Sequence, residues 1–341
     1  MSVAAWSTER ERGSAAWLAA MRWAVTTLGA PIGRLLLLPI VLWFLLSSPG
    51  ARAASRDYLS RVLGRPAGLW DVGQHFHVFA RSILDRGLLL LGRTDARAMV
   101  VEGIPHIEAA LAHGRGCLLL GAHLGGFEAL RAVGQQAPAR VRPMMYRDNA
   151  GALTALMDRL APGLLADVIA LGRPSAMLEA QEAVARGEIV GMLADRGHAS
   201  AGRRVKVPFL GAPAAFPAGP FALAHALGAP VLLFRAVRTQ NGRWLVQFEP
   251  FADRIVLRRG PDRARDLQAY VGRYAAALEQ ACRAHPYQWF NFYPFWEHAD
   301  AGPPLVHGDA ANSGRGVGAD ARRAGPDDGA GGRAGAAGVV S

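Results

Sequence analysis

Short apolar runs alternate with longer amphipathic stretches along most of the chain. Buried strands are predicted from the runs CLLLGAH (117–123), VRPMMY (141–146) and EIVGMLAD (188–195). Helices are predicted from the periodic stretches at 72–92, 104–114, 126–136, 151–163, 175–187, 218–228 and 265–286. Two further runs, 230–238 and 244–250, flank Asn241-Gly242 and predict an antiparallel hairpin. The pattern therefore predicts an α/β fold with a mixed, mostly parallel central sheet flanked by helices.

The N-terminal region contains an apolar segment with a different character. From Leu35 to Leu46 the chain reads LLLLPIVLWFLL, twelve apolar residues that would span about 18 Å as a helix, against a hydrocarbon core of roughly 30 Å. We therefore expect a monotopic or kinked re-entrant membrane segment rather than a straight transmembrane helix. A buried core helix is the alternative. A cleaved signal peptide fits less well, because more than thirty residues precede the segment.

The chain beyond residue 298 has few large apolar residues and no periodicity, so a disordered tail is predicted. The sequence is accordingly divided into a membrane-associating region (1–50), one catalytic domain (51–298) and the tail (299–341).

Net charge narrows the choice of partners. The formal charge is +11, carried by arginine with Lys206 as the sole lysine. A basic surface favours anionic membranes, acidic carrier proteins or phosphate-bearing substrates. Nucleic acid is not expected as a partner, because the arginines are scattered and no recognition motif is present. The two cysteines, Cys117 and Cys282, cannot build a disulfide framework, which indicates a reduced, cytosol-facing protein.

The motif HLGGFE, from His123 to Glu128, is the strongest chemical signal. His123 follows an apolar run at the expected end of a strand, and Glu128 falls near the start of the next predicted helix. A Gly-Gly turn would let the chain fold back, so that the carboxylate could accept the imidazole N–H and leave the other nitrogen to take a proton. The alternative is a strand-end histidine that is hydrogen-bonded for structural reasons only.

Other common catalytic patterns are missing from the sequence. It has no HExxH zinc motif, no GxSxG elbow, no P-loop and no GxGxxG after a strand. His75 and His77 are two positions apart and would lie on different faces of a helix, which favours packing or surface roles over metal binding. No metal site is predicted.

Five ordered blocks resemble a known family: HLGGFEALR, MYRDN, GMLADRG, VPFLGAPAAFPAGPFALAHALGAPV and YQWFNFYPFW. Together they resemble the lysophospholipid-acyltransferase-like superfamily, and in particular the bacterial late acyltransferases of lipid A biosynthesis. The form of the blocks is most similar to the predicted acyltransferases of aryl polyene and xanthomonadin-type pigment clusters. The resemblance extends from about Leu35 to Trp296 and implies a glycerolipid-acyltransferase-like fold.

The resemblance also implies a set of site residues. His123 matches the family's catalytic histidine and Glu128 its acidic partner. Backbone N–H groups from Gly125 to Phe127 are expected to hold the oxyanion. The remaining candidates for substrate binding, which include Arg147 as a phosphate ligand, are Gly126, Tyr146, Arg147, Asn149, Asp195, Arg196, Pro208, Gly211, Gly219 and Pro220. The lipid A enzymes more often carry Asp-Gln where this chain has Asp195-Arg196, which favours a different acceptor. The aromatic residues of the last block are read as core or interface anchors.

The implied function is transfer of a fatty acyl group from acyl carrier protein, or coenzyme A, to a hydroxyl of a lipid or pigment-lipid acceptor. The reaction would take place on the cytoplasmic face of the inner membrane, with membrane lipids as partners and with no cofactor. A lipid A precursor, a lysophospholipid and an amine remain alternative acceptors. A thioesterase and a non-catalytic acyl-binding protein remain alternative functions on the same fold.

Overall fold

The computed structural model describes residues 30–90, 99–126, 139–146, 167–197 and 202–296. The helices in these ranges are α1 (Ala30–Ser47), α2 (Pro49–Leu63), α3 (Leu69–Leu90), α4 (Ile104–Leu111), α5 (Ala176–Ala185), α6 (Gly219–Leu227) and α7 (Asp262–Ala284). The strands are β1 (Met99–Glu102), β2 (Leu118–Gly121), β3 (Val141–Tyr146), β4 (Ile169–Leu171), β5 (Ile189–Leu193), β6 (Arg204–Phe209), β7 (Ala212–Pro217), β8 (Val231–Arg238) and β9 (Trp244–Ala252).

A seven-stranded sheet forms the centre of the described structure, in the order β1-β9-β8-β2-β5-β3-β4. All neighbouring strands are parallel except β8 and β9, which form the antiparallel hairpin that Asn241-Gly242 predicts. The predicted mixed, mostly parallel sheet is therefore confirmed. Because β2, β5 and β8 are parallel neighbours, their carboxyl ends lie at one edge of the sheet, where open α/β sheets place their ligands.

Both faces of the sheet are covered, and β2 shows how the sequence satisfies this. Leu118 and Leu120 pack into the larger hydrophobic core on one face, while Cys117 and Leu119 pack into the smaller core on the other. Successive strand side chains point to opposite faces, so a strand that is buried on both sides reads as a continuous apolar run. This is the physical reason for the CLLL pattern.

Most predicted elements are present, with bounds shifted by a few residues. The structure adds elements that the pattern did not predict: the short strands β1 and β4, helix α2, and the β6–β7 hairpin. The predicted helices at 126–136 and 151–163 and the predicted tail from residue 299 lie outside the described residues. The proposed domain boundary at residue 50 falls within α2, and the domain division stays a prediction.

The β6–β7 hairpin contains the VPFLGAP segment, for which the sequence pattern predicts no strand. Its three prolines argue against strands in the sequence, since proline cannot donate to a β ladder. In the observed register, however, Pro208 pairs with Pro213 and Pro217 pairs with Arg204. Antiparallel pairs alternate between hydrogen-bonded and non-hydrogen-bonded. The N–H of Ala218 bonds to the carbonyl of Arg203, so the pairs that contain proline are the non-hydrogen-bonded ones and no ladder bond is lost.

Helices α1 and α2 contain the predicted membrane segment. Within the described ranges, neither helix alone meets the length and hydropathy expected of a membrane span, but residues 33–63 meet them together as two helices bent by 97°. The predicted N-terminal membrane segment is thus not established by the fold. Leu37 of α1 packs against Leu84 and Leu88 of α3, so α1 is attached to the domain by its inner face.

Candidate active site

His123 and Asp195 meet at the carboxyl edge of the sheet. His123 follows β2 by two residues and Asp195 follows β5 by two residues, and these strands are parallel neighbours. The imidazole Nδ1 lies 2.8 Å from Asp195 Oδ1, and the backbone N–H of His123 donates to Oδ2 at 3.1 Å. About a third of the His123 side chain is exposed, whereas Asp195 is fully buried. The pair therefore presents an accessible imidazole on a buried carboxylate.

The environment of Asp195 keeps it ionised. Burial acts to raise its pKa, but the charge of His123, the hydrogen bond from His123, the charge of Arg196 and the hydrogen bond from Trp289 together hold the pKa well below its usual range. Trp289 Nε1 donates to Oδ2 at 2.9 Å. An ionised carboxylate only accepts hydrogen bonds, so Nδ1 of His123 must carry the proton. Nε2 is then the nitrogen that can take a proton from a substrate.

Trp289 is itself fixed by a second histidine from the N-terminal helices. His75 Nε2 lies 3.0 Å from the carbonyl oxygen of Trp289, and His75 Nδ1 lies 2.8 Å from Ser55 Oγ. Burial lowers the pKa of His75 to about 4, so the ring is neutral near pH 7 and can donate from Nε2 while accepting from Ser55. A hydrogen-bonded chain thus runs from α2 through α3 and Trp289 to Asp195 and His123. Of the packing and surface roles that the sequence favours for His75, the structure shows the packing role.

The glycine turn after His123 packs closely against β8 and β9. Gly125 has a φ of +69°, and a Cβ there would lie 1.9 Å from the carbonyl oxygen of Ala236. A Cβ on Gly126 would lie 2.6 Å from the ring of Trp244. Only glycine fits at position 125, whereas a side chain at position 126 would require the ring of Trp244 to move.

Two of the N–H groups that are predicted to hold the oxyanion already have backbone partners in the structure. The N–H of Gly125 donates to the carbonyl of Gln288 at 2.7 Å, and that of Gly126 donates to the carbonyl of Ala236 at 2.9 Å. Both donors are consumed in joining the turn to β8 and to the 288–290 segment. Phe127 and Glu128 lie outside the described residues, so their predicted roles stay predictions.

The other residues of the MYRDN and GMLADRG blocks are only partly described. Tyr146 is the last residue of β3, whereas Arg147 and Asn149 lie outside the described residues. Arg196 donates to the carbonyl of Phe290, and its guanidinium lies 5.2 Å from the ring centre of Tyr293. Arg196 therefore stabilises the segment that contains Trp289.

The residues predicted to shape an acyl channel lie on the hairpin and on α6. Pro208 is in β6, Gly211 is in the β6–β7 turn, and Gly219 and Pro220 begin α6. Contacts connect this region to His123 through Phe209 and Trp289. The rings of Phe209 and Trp289 pack edge-on with their centres 5.3 Å apart, and Trp289 bonds to Asp195, the partner of His123. The structure does not show these four residues in contact with His123, and their substrate-binding role stays a prediction.

Neither cysteine is suited to act as a nucleophile. Both are buried, and burial raises the pKa of Cys117 to about 12. The pKa of Cys282 is also raised, again chiefly by burial. Since the thiolate is the nucleophilic form, formation of a cysteine thioester is disfavoured at both positions, whereas the partly exposed imidazole of His123 is able to accept a proton.

Sequence reasoning missed the partnership of Asp195 with His123, having placed Asp195 among the substrate-binding residues. The two are 72 positions apart, and only the adjacency of β2 and β5 brings them together. Both follow buried apolar runs, which predicts a common sheet edge but not neighbouring strands. Nothing in the sequence distinguishes Trp289 from the other aromatic residues of its block.

Comparison with known proteins identifies the family to which the chain is related. A model of the family described as bacterial lipid A biosynthesis acyltransferase matches residues 16–298 of the chain. The chain is also similar to the phosphatidylinositol mannoside acyltransferase of Mycobacterium tuberculosis strain H37Rv, with 28% identity over 265 residues, 71% of this chain and 76% of the relative. The protein of the same description from strain CDC 1551 matches to the same extent.

Proposed function

Because the chain belongs to the bacterial lipid A biosynthesis acyltransferase family and is an acyltransferase of lipid metabolism, we propose that His123 is its general base. The observation that carries this proposal is the hydrogen bond between His123 Nδ1 and the buried carboxylate of Asp195. It fixes the tautomer and the orientation of the imidazole, which a general base requires.

The proposed reaction needs only an activated acyl donor and a hydroxyl acceptor. His123 Nε2 takes the hydroxyl proton as the acceptor oxygen attacks the thioester carbonyl carbon. The tetrahedral intermediate then expels the thiolate as the C–S bond breaks, and the imidazolium returns the proton to the leaving sulfur. Asp195 stabilises the imidazolium, and no cofactor is required. Glu128 stays a predicted catalytic residue, although Asp195 is the carboxylate that contacts Nδ1.

We propose an acyl carrier protein as the preferred donor, with coenzyme A as the alternative. The support is electrostatic: the chain carries a net charge of +11, and an acidic carrier protein would be attracted to it over a range set by ionic strength.

For the acceptor, we propose a hydroxyl of a lipid-like amphiphile of the aryl polyene pigment-lipid class. The support is the sequence block with Asp195-Arg196 in place of Asp-Gln. The name of the mycobacterial relative favours a phosphatidylinositol mannoside as an alternative class of acceptor. Lipid and pigment extracts of a deletion strain, compared with those of its parent, would identify the missing acylated product.

The activity is tested by incubating membranes that contain the full-length protein with acyl carrier protein that bears a labelled acyl group. Transfer of label to lipid supports the proposal, whereas release of free fatty acid would identify a thioesterase. Absence of both products would contradict the proposal and favour a non-catalytic binding protein. His123→Ala should lower transfer by about 10²- to 10⁴-fold, because general-base catalysis contributes that much. His106→Ala, on the exposed surface of α4, is the matched control and should leave transfer unchanged.

We further propose that α1 attaches the protein to the cytoplasmic face of the inner membrane. The exposed stripe of α1 consists of Leu35, Leu38, Leu42 and Leu46, which are between 54% and 70% exposed. At 100° per residue these four positions fall within an arc of about 80°, on one side of the helix. A contiguous exposed apolar face of this kind marks an interaction surface.

Replacing Leu38 and Leu42 with glutamine tests this attachment. The double variant should move from the membrane to the soluble fraction without loss of thermal stability, since both side chains are already exposed. Replacing the inward-facing Leu37 with glutamine is the contrasting control, because it should lower stability. If the double variant stays on membranes, the exposed stripe is not the attachment surface.

A further inference from the structure

Three arginines from different elements surround one buried carboxylate at the carboxyl end of β8. Asp85 of α3 has a side chain that is only 3% exposed, and its Oδ2 lies 2.8 Å from Arg238 Nε and 3.7 Å from Arg81 Nε. Arg34 of α1 lies one helical turn from Leu37, which packs against Leu84, the residue before Asp85. Its charge also acts on both Asp85 and Arg238. We refer to Arg34, Arg81, Asp85 and Arg238 as the arginine cluster.

Charge in the arginine cluster is not balanced. Three guanidinium groups face one carboxylate among the described residues, which leaves two positive charges in surplus. The pKa of Arg238 is lowered, first by burial and then by the charges of Arg81 and Arg34, against the opposing effect of Asp85. A partly buried surplus of one sign is costly unless a counterion is supplied.

The arginines differ in how firmly they are held. Arg238 is paired with Asp85, donates to the carbonyl of Gly242 and stacks on Trp244, with its guanidinium 4.9 Å from the ring centre. Arg81 is about one third exposed, whereas Arg238 is about one fifth exposed. The buried Nε atoms of both arginines make no hydrogen bond within the described part of the chain, so their difference lies in exposure. Arg34 is exposed. Donors that can receive an anion are therefore those of Arg81 and Arg34.

The arginine cluster lies between the carboxyl edge of the sheet, where His123 is located, and the exposed stripe of α1. Trp244 contacts Arg238 on one side and approaches Gly126 on the other. Gln288 binds the backbone of Arg238 through its side-chain amide and accepts the N–H of Gly125 through its carbonyl. At 100° per residue, Arg34 lies about 40° from Leu38 around α1, so it flanks the apolar stripe.

We propose that Arg34 and Arg81, which lie near the Asp85–Arg238 ion pair, bind the phosphate group of an anionic membrane lipid. Guanidinium groups match phosphate geometry with paired hydrogen bonds. A lipid headgroup is favoured over a soluble phosphate ester because the arginines border the apolar stripe, which would place them at headgroup depth. The inference rests on the proposed membrane attachment of α1 and does not depend on acyl transfer.

Vesicle flotation of the full-length protein tests the proposal. Wild-type binding is compared on phosphatidylcholine vesicles and on vesicles that also contain phosphatidylglycerol, at fixed ionic strength. One arginine near an anionic surface changes partitioning by about fivefold. Phosphatidylglycerol should therefore increase the vesicle binding of the double variant Arg34→Gln, Arg81→Gln about 30-fold less than it increases that of the wild type. This increase in binding is called the gain.

Arg259→Gln is the matched control, since Arg259 is exposed and follows β9, which leaves the sheet at the opposite edge. It should keep the wild-type gain to within about twofold, as screening limits distant charges. Neutral vesicles should bind all variants equally. If wild-type protein binds neither kind of vesicle, the attachment of α1 has failed; if it binds and the double variant keeps the full gain, the phosphate site is wrong.

A separate measurement distinguishes a lipid headgroup from a soluble phosphate ester. Inorganic phosphate and glycerol phosphate are added while the thermal unfolding midpoint is followed. The lipid assignment would be overturned if these phosphates stabilised the wild type but not the double variant, and if the double variant kept the wild-type gain on vesicles. The site would then bind a soluble phosphate. Should the double variant not fold, Arg34→Gln alone should still lose about fivefold of the gain.

Discussion

Asp195 accepts three hydrogen bonds, two from His123 and one from the indole of Trp289. Both carboxylate oxygens are therefore used, and the group cannot rotate without breaking at least one bond. Burial excludes water from competing for these bonds. The carboxylate thus fixes both the backbone and the ring of His123.

Asp195→Asn should separate this role from simple packing. The amide has nearly the same shape as the carboxylate, but its nitrogen carries N–H groups. Both carboxylate oxygens of Asp195 face hydrogen-bond donors, so the amide nitrogen would replace an acceptor with a donor. If the amide nitrogen faces Nδ1, the imidazole is held in the wrong tautomer and kcat should fall by about 10³- to 10⁴-fold. Steady-state acyl transfer is the measurement.

The matched control is Asp71→Asn, because Asp71 is also buried and accepts bonds from Arg65, Gly68 and Tyr287. It should lower stability but leave kcat within a few fold of wild type. An Asp195→Asn enzyme with near-native kcat would show that the Nδ1 contact does not matter for catalysis.

The sequence located His123 but not its partner, for a physical reason. The carboxyl ends of parallel strands share an edge, so His123 and Asp195 could be assigned to one edge from their strands alone. Strand order determines which edge residues touch, and it depends on long-range packing that local periodicity does not encode. Trp289 and His75 contribute through their backbone and side-chain bonds to distant segments, and no local motif reports such bonds.

At the scale of elements, the glycine turn between β2 and the following segment is held by contacts on two sides. Leu124 bridges to Trp289 and Gly125 bridges to Ala236 of β8. The turn therefore joins the sheet to the 288–290 segment that positions Asp195. A small shift of this turn would move His123 relative to Asp195.

Gly125→Ala should destabilise the protein and lower its activity. The added methyl group would overlap the carbonyl oxygen of Ala236 at 1.9 Å, and the φ of +69° is unfavourable for alanine. We expect a loss of about 2 kcal/mol or more in unfolding free energy, as for other residues forced into a strained backbone. Urea unfolding and acyl transfer are the two measurements.

Gly73→Ala provides the opposite control within α3. No atom lies within 4 Å of the added methyl group, and alanine is the better helix former by about 0.5–1 kcal/mol. This variant should be slightly more stable than wild type and equally active. If both glycine variants behaved alike, the close approach to Ala236 would not limit the turn.

Elements were predictable where periodicity is strong and less so where it is interrupted. β3 has the bounds that its VRPMMY run indicates, and α7 follows its amphipathic pattern. The strands β1 and β4 have four and three residues, too few for a periodic signal. The β6–β7 hairpin was hidden by prolines whose cost depends on register, which the sequence does not show.

At the scale of the whole molecule, stability should depend on pH because His75 is buried in its neutral form. Its folded pKa is about 4, below the unfolded value near 6.5. Between these values the unfolded chain binds more protons than the folded one, so stability is lost as the pH falls from about 6.5 to about 4. The loss from this group is on the order of 3 kcal/mol.

Urea unfolding at a series of pH values between 7.5 and 4 measures this dependence. His75→Gln keeps a donor and an acceptor for Trp289 and Ser55 but does not titrate, so its curve should be flatter across that range. A His106→Gln control, on the exposed surface of α4, should retain the wild-type slope. An unchanged slope in the His75 variant would assign the acid sensitivity to other groups.

The β6–β7 hairpin also bears on how the chain behaves at high local concentration. In an antiparallel pair, residues of the non-hydrogen-bonded pairs direct their backbone groups outward, towards any incoming strand. On β7 these residues are Pro213, Ala215 and Pro217, and on β6 they are Arg204, Lys206 and Pro208. Proline has no N–H to offer, and charged side chains disfavour the approach of another strand. Of these six residues, only Arg204, Lys206 and Ala215 have an N–H to direct outward, so this ribbon is a poor template for intermolecular β pairing when molecules are crowded together.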